Sequence, residues 1–357
     1  MLKKLNRIWW NSLKQANKRQ QRRTRTWLKA ITAKPKRTAS GNAAAATATS
    51  AQQPAPDGLW RSGYYTSTGI PARRMGYRLF VPASAHATAM PLLVMLHGCQ
   101  QNAADFAAGT RMNQLAAAKG YAVLYPEQSL RAHTHRCWKW YDAATQRGAG
   151  DTQVIAQMID AIAAQHAIDR SRIYACGISA GAAMAQILAF TYPQLIAAVG
   201  LHSSPVFGTC RSATEAYGVM QHGSANALAP IRKLLAAHPD FPPMPAILIG
   251  GDDDRIVRPV NQMALLMQFK LLNAAAGIAA LPPVTKSFGR ISRQFPQKNT
   301  MQTQDFAAGP KVMIRSIHIG RLGHAWSGGD DHYAFHAKGP DAGKLVLAFF
   351  AKHRRSH

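Results

Sequence analysis

The chain has 357 residues, a hydrophobic fraction of 47% and a formal net charge of +27. This length and composition fit one large globular domain or two small ones and exclude a chain too polar to bury a core. The charge is uneven: residues 1–56 hold thirteen Lys and Arg and no Asp or Glu, nearly half of the net charge.

Within residues 1–31, Leu2, Leu5, Trp9 and Leu13 fall near one helical face among cations. A basic amphipathic helix of this kind suits an anionic membrane or a granule surface. A disordered, solubilising tail accounts for the same residues. Residues 38–56, rich in Ala, Thr and Ser, read as a disordered linker. No nucleic-acid-binding motif accompanies the charge, so no nucleic-acid partner is expected. No run is long enough to span a bilayer, and the basic N-terminus lacks the apolar stretch of a signal peptide. The expected division is a basic segment with its linker, 1–56, and a folded domain, 57–357.

Along that domain, apolar runs at 92–96, 121–125, 172–175, 197–201 and 245–249 alternate with helical patterns. The helices are predicted at 105–119, 152–165, 180–192, 258–275 and 340–352. Residues 312–319 alternate at period two through much of their length and add a strand. Strands and helices in alternation predict an α/β domain, with a mostly parallel sheet and helices on both faces.

One turn in this pattern carries chemistry. Gly177-Ile178-Ser179-Ala180-Gly181 follows an apolar strand and opens the helix at 180–192. Strand, glycine-flanked turn and helix together form the context of a nucleophile elbow, which lifts the serine above the sheet. In a chain rich in Gly and Ala the bare pattern arises by chance, but its flanks do not. An elbow serine needs a base, and the base needs an acid to orient it. In chain order the acid comes first, after the strand at 245–249, where Asp252, Asp253 and Asp254 compete. Asp254 is favoured, because the step to Val257 packs the valine inward and turns the carboxylate to the site. Asp252 is expected to cap the turn. Of fourteen histidines, His324 lies in a glycine-rich loop after the strand at 312–319. His318 lies within that strand, and His332 and His336 lie beyond the loop. The oxyanion donors are expected to be the N–H of Ala180 and, from the loop His97-Gly98-Cys99-Gln100-Gln101, that of Cys99 or Gln100. His97 is expected to brace that loop. Trp138, Trp140 and Trp326 are candidates for the walls of the substrate cleft, with core packing as the alternative.

With these residues the chain resembles the polyhydroxybutyrate depolymerase family of esterases, relatives of feruloyl and acetylxylan esterases. The matching segments are LLVMLHGCQQNAADFAAGTRMNQLAAAKGYAVLYPEQS, CWKWYD, RIYACGISAGAAMAQILAFTYPQLIAAVGLHSS and LGHAWSGG, between about residues 60 and 352. The resemblance implies an α/β-hydrolase fold and ester hydrolysis by Ser179, His324 and Asp254, with no cofactor or metal. It departs from the family at Gly250-Gly251-Asp252, where relatives commonly carry a histidine before the glycine. A second departure is the basic stretch 281–311, which reads as an insertion. The implied substrates are 3-hydroxybutyrate oligomers or polymer, with feruloyl or acetylated sugars as the alternative. No polymer-binding module is evident, which favours short esters. From another class, a non-catalytic granule- or membrane-surface protein uses the same scaffold, but three triad residues in order speak against it. In the family the segments holding Cys99 and Cys137 are often bridged, and Cys176 with Cys210 would make a second pair. Four cysteines allow three connectivities, and four buried thiols is the alternative. Family habit points to the extracellular region, and the missing signal peptide to a cytoplasmic, granule- or membrane-associated protein.

Overall fold

A computed structural model of the chain describes residues 56–68, 72–84, 89–278, 282–288 and 300–355, all in the unit Pro54–His357. The expected amphipathic segment and linker lie outside the described residues. The chain opens with a hairpin, β1 (Gly58–Thr66) and β2 (Arg74–Pro82). There follow β3 (Met90–Leu96), α1 (Ala103–Thr110), α2 (Met112–Ala117), β4 (Ala122–Glu127), the short α3 (Ala143–Gln146) and α4 (Gly150–Gln165). Next come β5 (Ile168–Ile178), α5 (Ala180–Thr191), β6 (Ala198–His202), α6 (Ala213–His222) and α7 (Ala229–Ala237). The last third holds β7 (Ala246–Gly251), α8 (Val260–Ala275), β8 (Val284–Phe288), β9 (Met301–Ala308) and β10 (Lys311–Ile319). Two short strands, β11 (Trp326–Ser327) and β12 (His336–Ala337), precede α9 (Ala342–Phe350).

Ten strands make one sheet in the order β1-β2-β4-β3-β5-β6-β7-β10-β9-β8. From β4 to β10 neighbours run parallel, and the outer strands on both sides are antiparallel. The central strands are apolar throughout because both faces are covered. In β3, Leu92, Val94 and Leu96 join a core with α4, α5 and α8, while Leu93 and Met95 join a second core with α1, α2 and α9. Every residue of β3 is buried. Each such Leu or Val contributes about 1.5–3 kcal/mol relative to leaving it in water.

The helix predicted at 105–119 is two helices. Arg111 takes left-handed backbone, φ 53° and ψ 27°, and separates α1 from α2. The stretch 281–311 supplies β8 and β9, which extend the sheet past β10. There Arg315 and Asp305 are register partners, joined by Nε to Oδ1 at 2.7 Å and Nη2 to Oδ2 at 2.6 Å.

Cys99 and Cys137 are bonded, whereas Cys176 and Cys210 are free and buried, so the second expected bridge does not form. The reason is the sheet: Cys176 points into the core beneath α9, and Cys210 packs in the core on the other face. Burial pushes both thiols up to about 12, which keeps them protonated and inert. Thiol titration is expected to find no fast-reacting group in native protein, two after unfolding and four after unfolding with reduction. Two reactive thiols in the folded protein would contradict this arrangement.

Candidate active site

β5 ends at Ile178, and α5 begins at Ala180. Between them Ser179 has φ 57° and ψ −124°. Such backbone at a non-glycine residue costs on the order of 1–3 kcal/mol and persists only where its surroundings enforce it. The Ser179 N–H donates to the His202 carbonyl at 2.9 Å, and the Ser179 carbonyl accepts from Ala183 at 3.0 Å. Glycine on each side is a steric demand. A Cβ on Gly177 would lie 2.6 Å from the Leu96 carbonyl oxygen, and one on Gly181 would overlap the carbonyls of Leu96 and His97. The result is a half-buried serine at the start of a twelve-residue helix.

The candidate acid and base leave the same end of the sheet. β7 and β10 are parallel neighbours, paired through Ile319 and Gly251. The loop after β7 carries Asp254, and the loop after β10 carries His324. His324 Nδ1 lies 2.8 Å from Asp254 Oδ2. The other carboxylate oxygen accepts from Ile256 N and Val257 N, both at 2.9 Å, so one oxygen fixes the loop and the other fixes the ring. Asp254 is 3% exposed. Burial works against its charge, but the His324 hydrogen bond, that ring's charge and the two N–H donors outweigh it and hold the carboxyl below its ordinary range. Val257 is buried, as the spacing required. Asp252 instead faces His318, with 3.8 Å between Oδ1 and Nδ1, and is more than half exposed. Asp253 is also exposed. His332 pairs with Asp330 on the surface.

The first loop lies beside the elbow. Ala180 is the first residue of α5, where a backbone N–H has no acceptor within the helix. Of the two expected partners, Gln100 has committed its N–H to the His135 carbonyl at 2.7 Å, which corrects that candidate and leaves Cys99. His97 is fully buried. Its Nδ1 donates to the Gly98 carbonyl at 2.7 Å and its Nε2 accepts from Gln128 N at 3.1 Å. Desolvation lowers it to about 4, so it is a neutral brace.

Of the two readings open for the three tryptophans, cleft wall or core, their burial favours the core. Trp138 and Trp326 have no exposed surface, and Trp140 is 6% exposed. Trp138 Nε1 donates to the His97 carbonyl at 2.9 Å and so supports the first loop from beneath. Trp326 stacks on His202 at 5.1 Å between centroids. His202 is a neighbour of the site that carries no motif and was not anticipated. Its carbonyl holds Ser179, its Nε2 accepts from Ser327 N at 3.3 Å, and its Nδ1 lies 3.2 Å from Ser203 Oγ. Burial, and the charge of His324, lower it to about 3. It therefore joins the elbow to the histidine loop as a neutral ring.

Among the described residues, Asp330, Asp331 and His332 bring ligand-type atoms together, but the group is largely exposed and Asp330 also faces Arg111 at 3.5 Å. It carries no metal-site argument.

The model for esterase PHB depolymerase matches residues 75–281. Poly(3-hydroxyalkanoate) depolymerase C of Paucimonas lemoignei is 33% identical over 220 residues, 58% of this chain and 50% of that protein. Acetylxylan esterase A of Emericella nidulans is 33% identical over 135 residues, 37% of this chain and 43% of that protein. Feruloyl esterase B of Thermothelomyces thermophilus is 32% identical over 128 residues, 35% of this chain and 43% of that protein. The chain thus spans about half the length of these curated relatives, or less. Among solved structures, acetyl xylan esterase from Aspergillus awamori superposes with a TM-score of 0.60 at 20% identity, over 82% of this chain and 99% of that one. An S-formylglutathione hydrolase from Agrobacterium tumefaciens gives 0.52 at 15%, over 84% and 98%. These likenesses show the α/β-hydrolase fold. With more than half of its length matched, the chain belongs to the esterase PHB depolymerase family.

Proposed function

We propose that the chain is a serine carboxylesterase working through an acyl-enzyme. The observation that carries this reading is the 2.8 Å contact between His324 Nδ1 and buried Asp254, at the end of the sheet where Ser179 forms its elbow. Ser179 Oγ attacks the ester carbonyl carbon while His324 Nε2 takes its proton. The Ala180 and Cys99 N–H groups stabilise the tetrahedral oxyanion. Collapse expels the alcohol, which takes the proton from His324 and leaves the acyl group on Ser179. Water attacks that ester by the same sequence and releases the acid. Asp254 fixes the ring with Nδ1 protonated, so that Nε2 is the base.

The proposed substrates are esters of 3-hydroxybutyrate, as oligomers or polymer; relatives named for poly(3-hydroxyalkanoate) support this choice. Those named for acetylxylan and ferulate define the competing choice. Turnover of hydroxybutyrate oligomers, feruloyl sugars and acetylated xylan by the full chain would decide between them.

A fluorophosphonate probe is expected to label Ser179, and Ser179→Ala to retain only about 10³-fold acceleration over water from the oxyanion donors and binding. Labelling at another residue, with Ser179→Ala still active, would sink the mechanism. Among Asp252→Asn, Asp253→Asn and Asp254→Asn, only the last is expected to lose turnover, by about 10⁴-fold. Near-normal turnover in Asp254→Asn would show that another group orients His324.

We also propose that the basic segment 1–56 attaches the enzyme to an anionic membrane or polyester-granule surface. Thirteen cations without an acid support this, since each near an anionic surface contributes about 1 kcal/mol and salt screens it. A chain beginning at Ala55 is expected to keep its turnover of a soluble ester and lose salt-sensitive binding to anionic vesicles or granules. Equal binding with and without the segment would refute attachment.

A further inference from the structure

At the β1–β2 edge lies a cleft of about 600 Å³ that the proposed mechanism does not use. Arg74 and Arg78 of β2 and Arg131 and Arg136 of the loop after β4 line it. Among its lining residues Glu127 is the one carboxylate, and both of its oxygens are occupied. Oε1 accepts from Arg136 Nη1 at 3.1 Å, and Oε2 accepts from Ala103 N at 3.0 Å. Arg74, Arg78 and Arg131 therefore line the cleft beside a single carboxylate that is already engaged by Arg136 and Ala103 N. The Arg74 guanidinium lies 3.9 Å from the centroid of the Tyr64 ring, a cation–π contact that restrains it at the cleft. Tyr64 is 68% exposed and Leu130 is 58% exposed, so apolar surface adjoins the charge. Three cations beside exposed apolar groups match an anion carried on an apolar chain.

The cleft opens at the end of the sheet that bears the triad. Gly76 pairs with Glu127 at the end of β4, β4 pairs with β3, and β3 pairs with β5 through Leu96 and Gly177. Three inter-strand steps put β2 on the order of 15 Å from the elbow. The loop that forms one wall is also tied to the oxyanion loop, by Gln100 N to the His135 carbonyl and by the Cys99–Cys137 bond. We infer that this cleft is a subsite for the terminal carboxylate of an oligomeric ester whose chain lies along the rim to Ser179. The inference rests on the ester-hydrolase reading, which supplies such a substrate: each cleavage of a hydroxy-acid oligomer leaves a free carboxylate. Guanidinium forks take a carboxylate by two parallel N–H donors. A single-unit ester does not bridge the separation, so the effect belongs to oligomers.

The test uses the full chain carrying Ser179→Ala and calorimetric binding of a 3-hydroxybutyrate tetramer, as free acid and as methyl ester, in low salt. The acid is expected to bind at least about tenfold more tightly, the scale of one charge-assisted hydrogen bond, and Arg78→Gln with Arg131→Gln to remove most of that difference, leaving only the part that Arg74 supplies. The corresponding monomers are expected to show no difference. With Ser179 intact, the double variant is expected to keep its melting temperature and its turnover of p-nitrophenyl butyrate, which separates loss of the subsite from loss of fold. Equal affinity for acid and methyl ester in the arginine-bearing protein, or a difference undiminished by the double substitution, overturns the subsite. If p-nitrophenyl butyrate is not turned over by any form, the hydrolase reading fails, and the binding comparison still reads the cleft by itself.

Discussion

Where β5 turns into α5, its backbone runs so close to the end of β3 that neither Gly177 nor Gly181 has room for a Cβ. Leu96 and Gly177 are register partners in neighbouring parallel strands, and the turn crosses directly over that pair. The candidate nucleophile and the first loop thus share one steric contact. Any shift of β3 along β5 would move both together. Beneath the contact, Trp138 holds the His97 carbonyl, and the Cys99–Cys137 bond closes the loop from its far side. The position of the serine therefore depends on packing against a strand some eighty residues earlier, and not on the turn alone.

Three histidines surround this contact, and their partners separate their roles. His97 and His202 are buried and hydrogen-bonded to neutral groups, and desolvation keeps both uncharged. His324 alone has a carboxylate on its ring, in a loop that leaves a fifth of its side chain exposed. A positive charge formed there in the proposed reaction would be stabilised by Asp254, while the flanking rings stay neutral and keep their hydrogen bonds. Identical side chains thus act as two struts and one proposed base.

The central sheet was legible because strands buried on both faces must be apolar along their length, as β3, β6 and β7 are. The edge hairpin was not. β1 exposes most of its residues and carries no clean alternation. Periodicity also ran through Arg111, where a single left-handed residue breaks the helix, because a backbone angle leaves no mark in hydrophobic pattern. At the candidate site, Ser179, Asp254 and His324 were singled out by their places after successive strands, and the fold sets His324 against Asp254. Which loop N–H groups point to the oxyanion, and which tryptophans are covered, depends on tertiary contacts. The bond from Gln100 to His135 crosses between loops, and Trp326 is hidden by His202 and Phe106. His202 lay in an apolar run, where spacing gives no reason to single it out.

The backbone of Ser179 sets function against stability. Its φ of 57° is held by the Ser179 N–H to the His202 carbonyl and by close packing, against the preference of any residue with a Cβ. A glycine would take that conformation without strain. The most relaxed residue for the turn is thus one that lacks the hydroxyl. Selection for thermal endurance alone would drive this position away from serine, and stability-guided redesign that ignores chemistry would erase the proposed nucleophile.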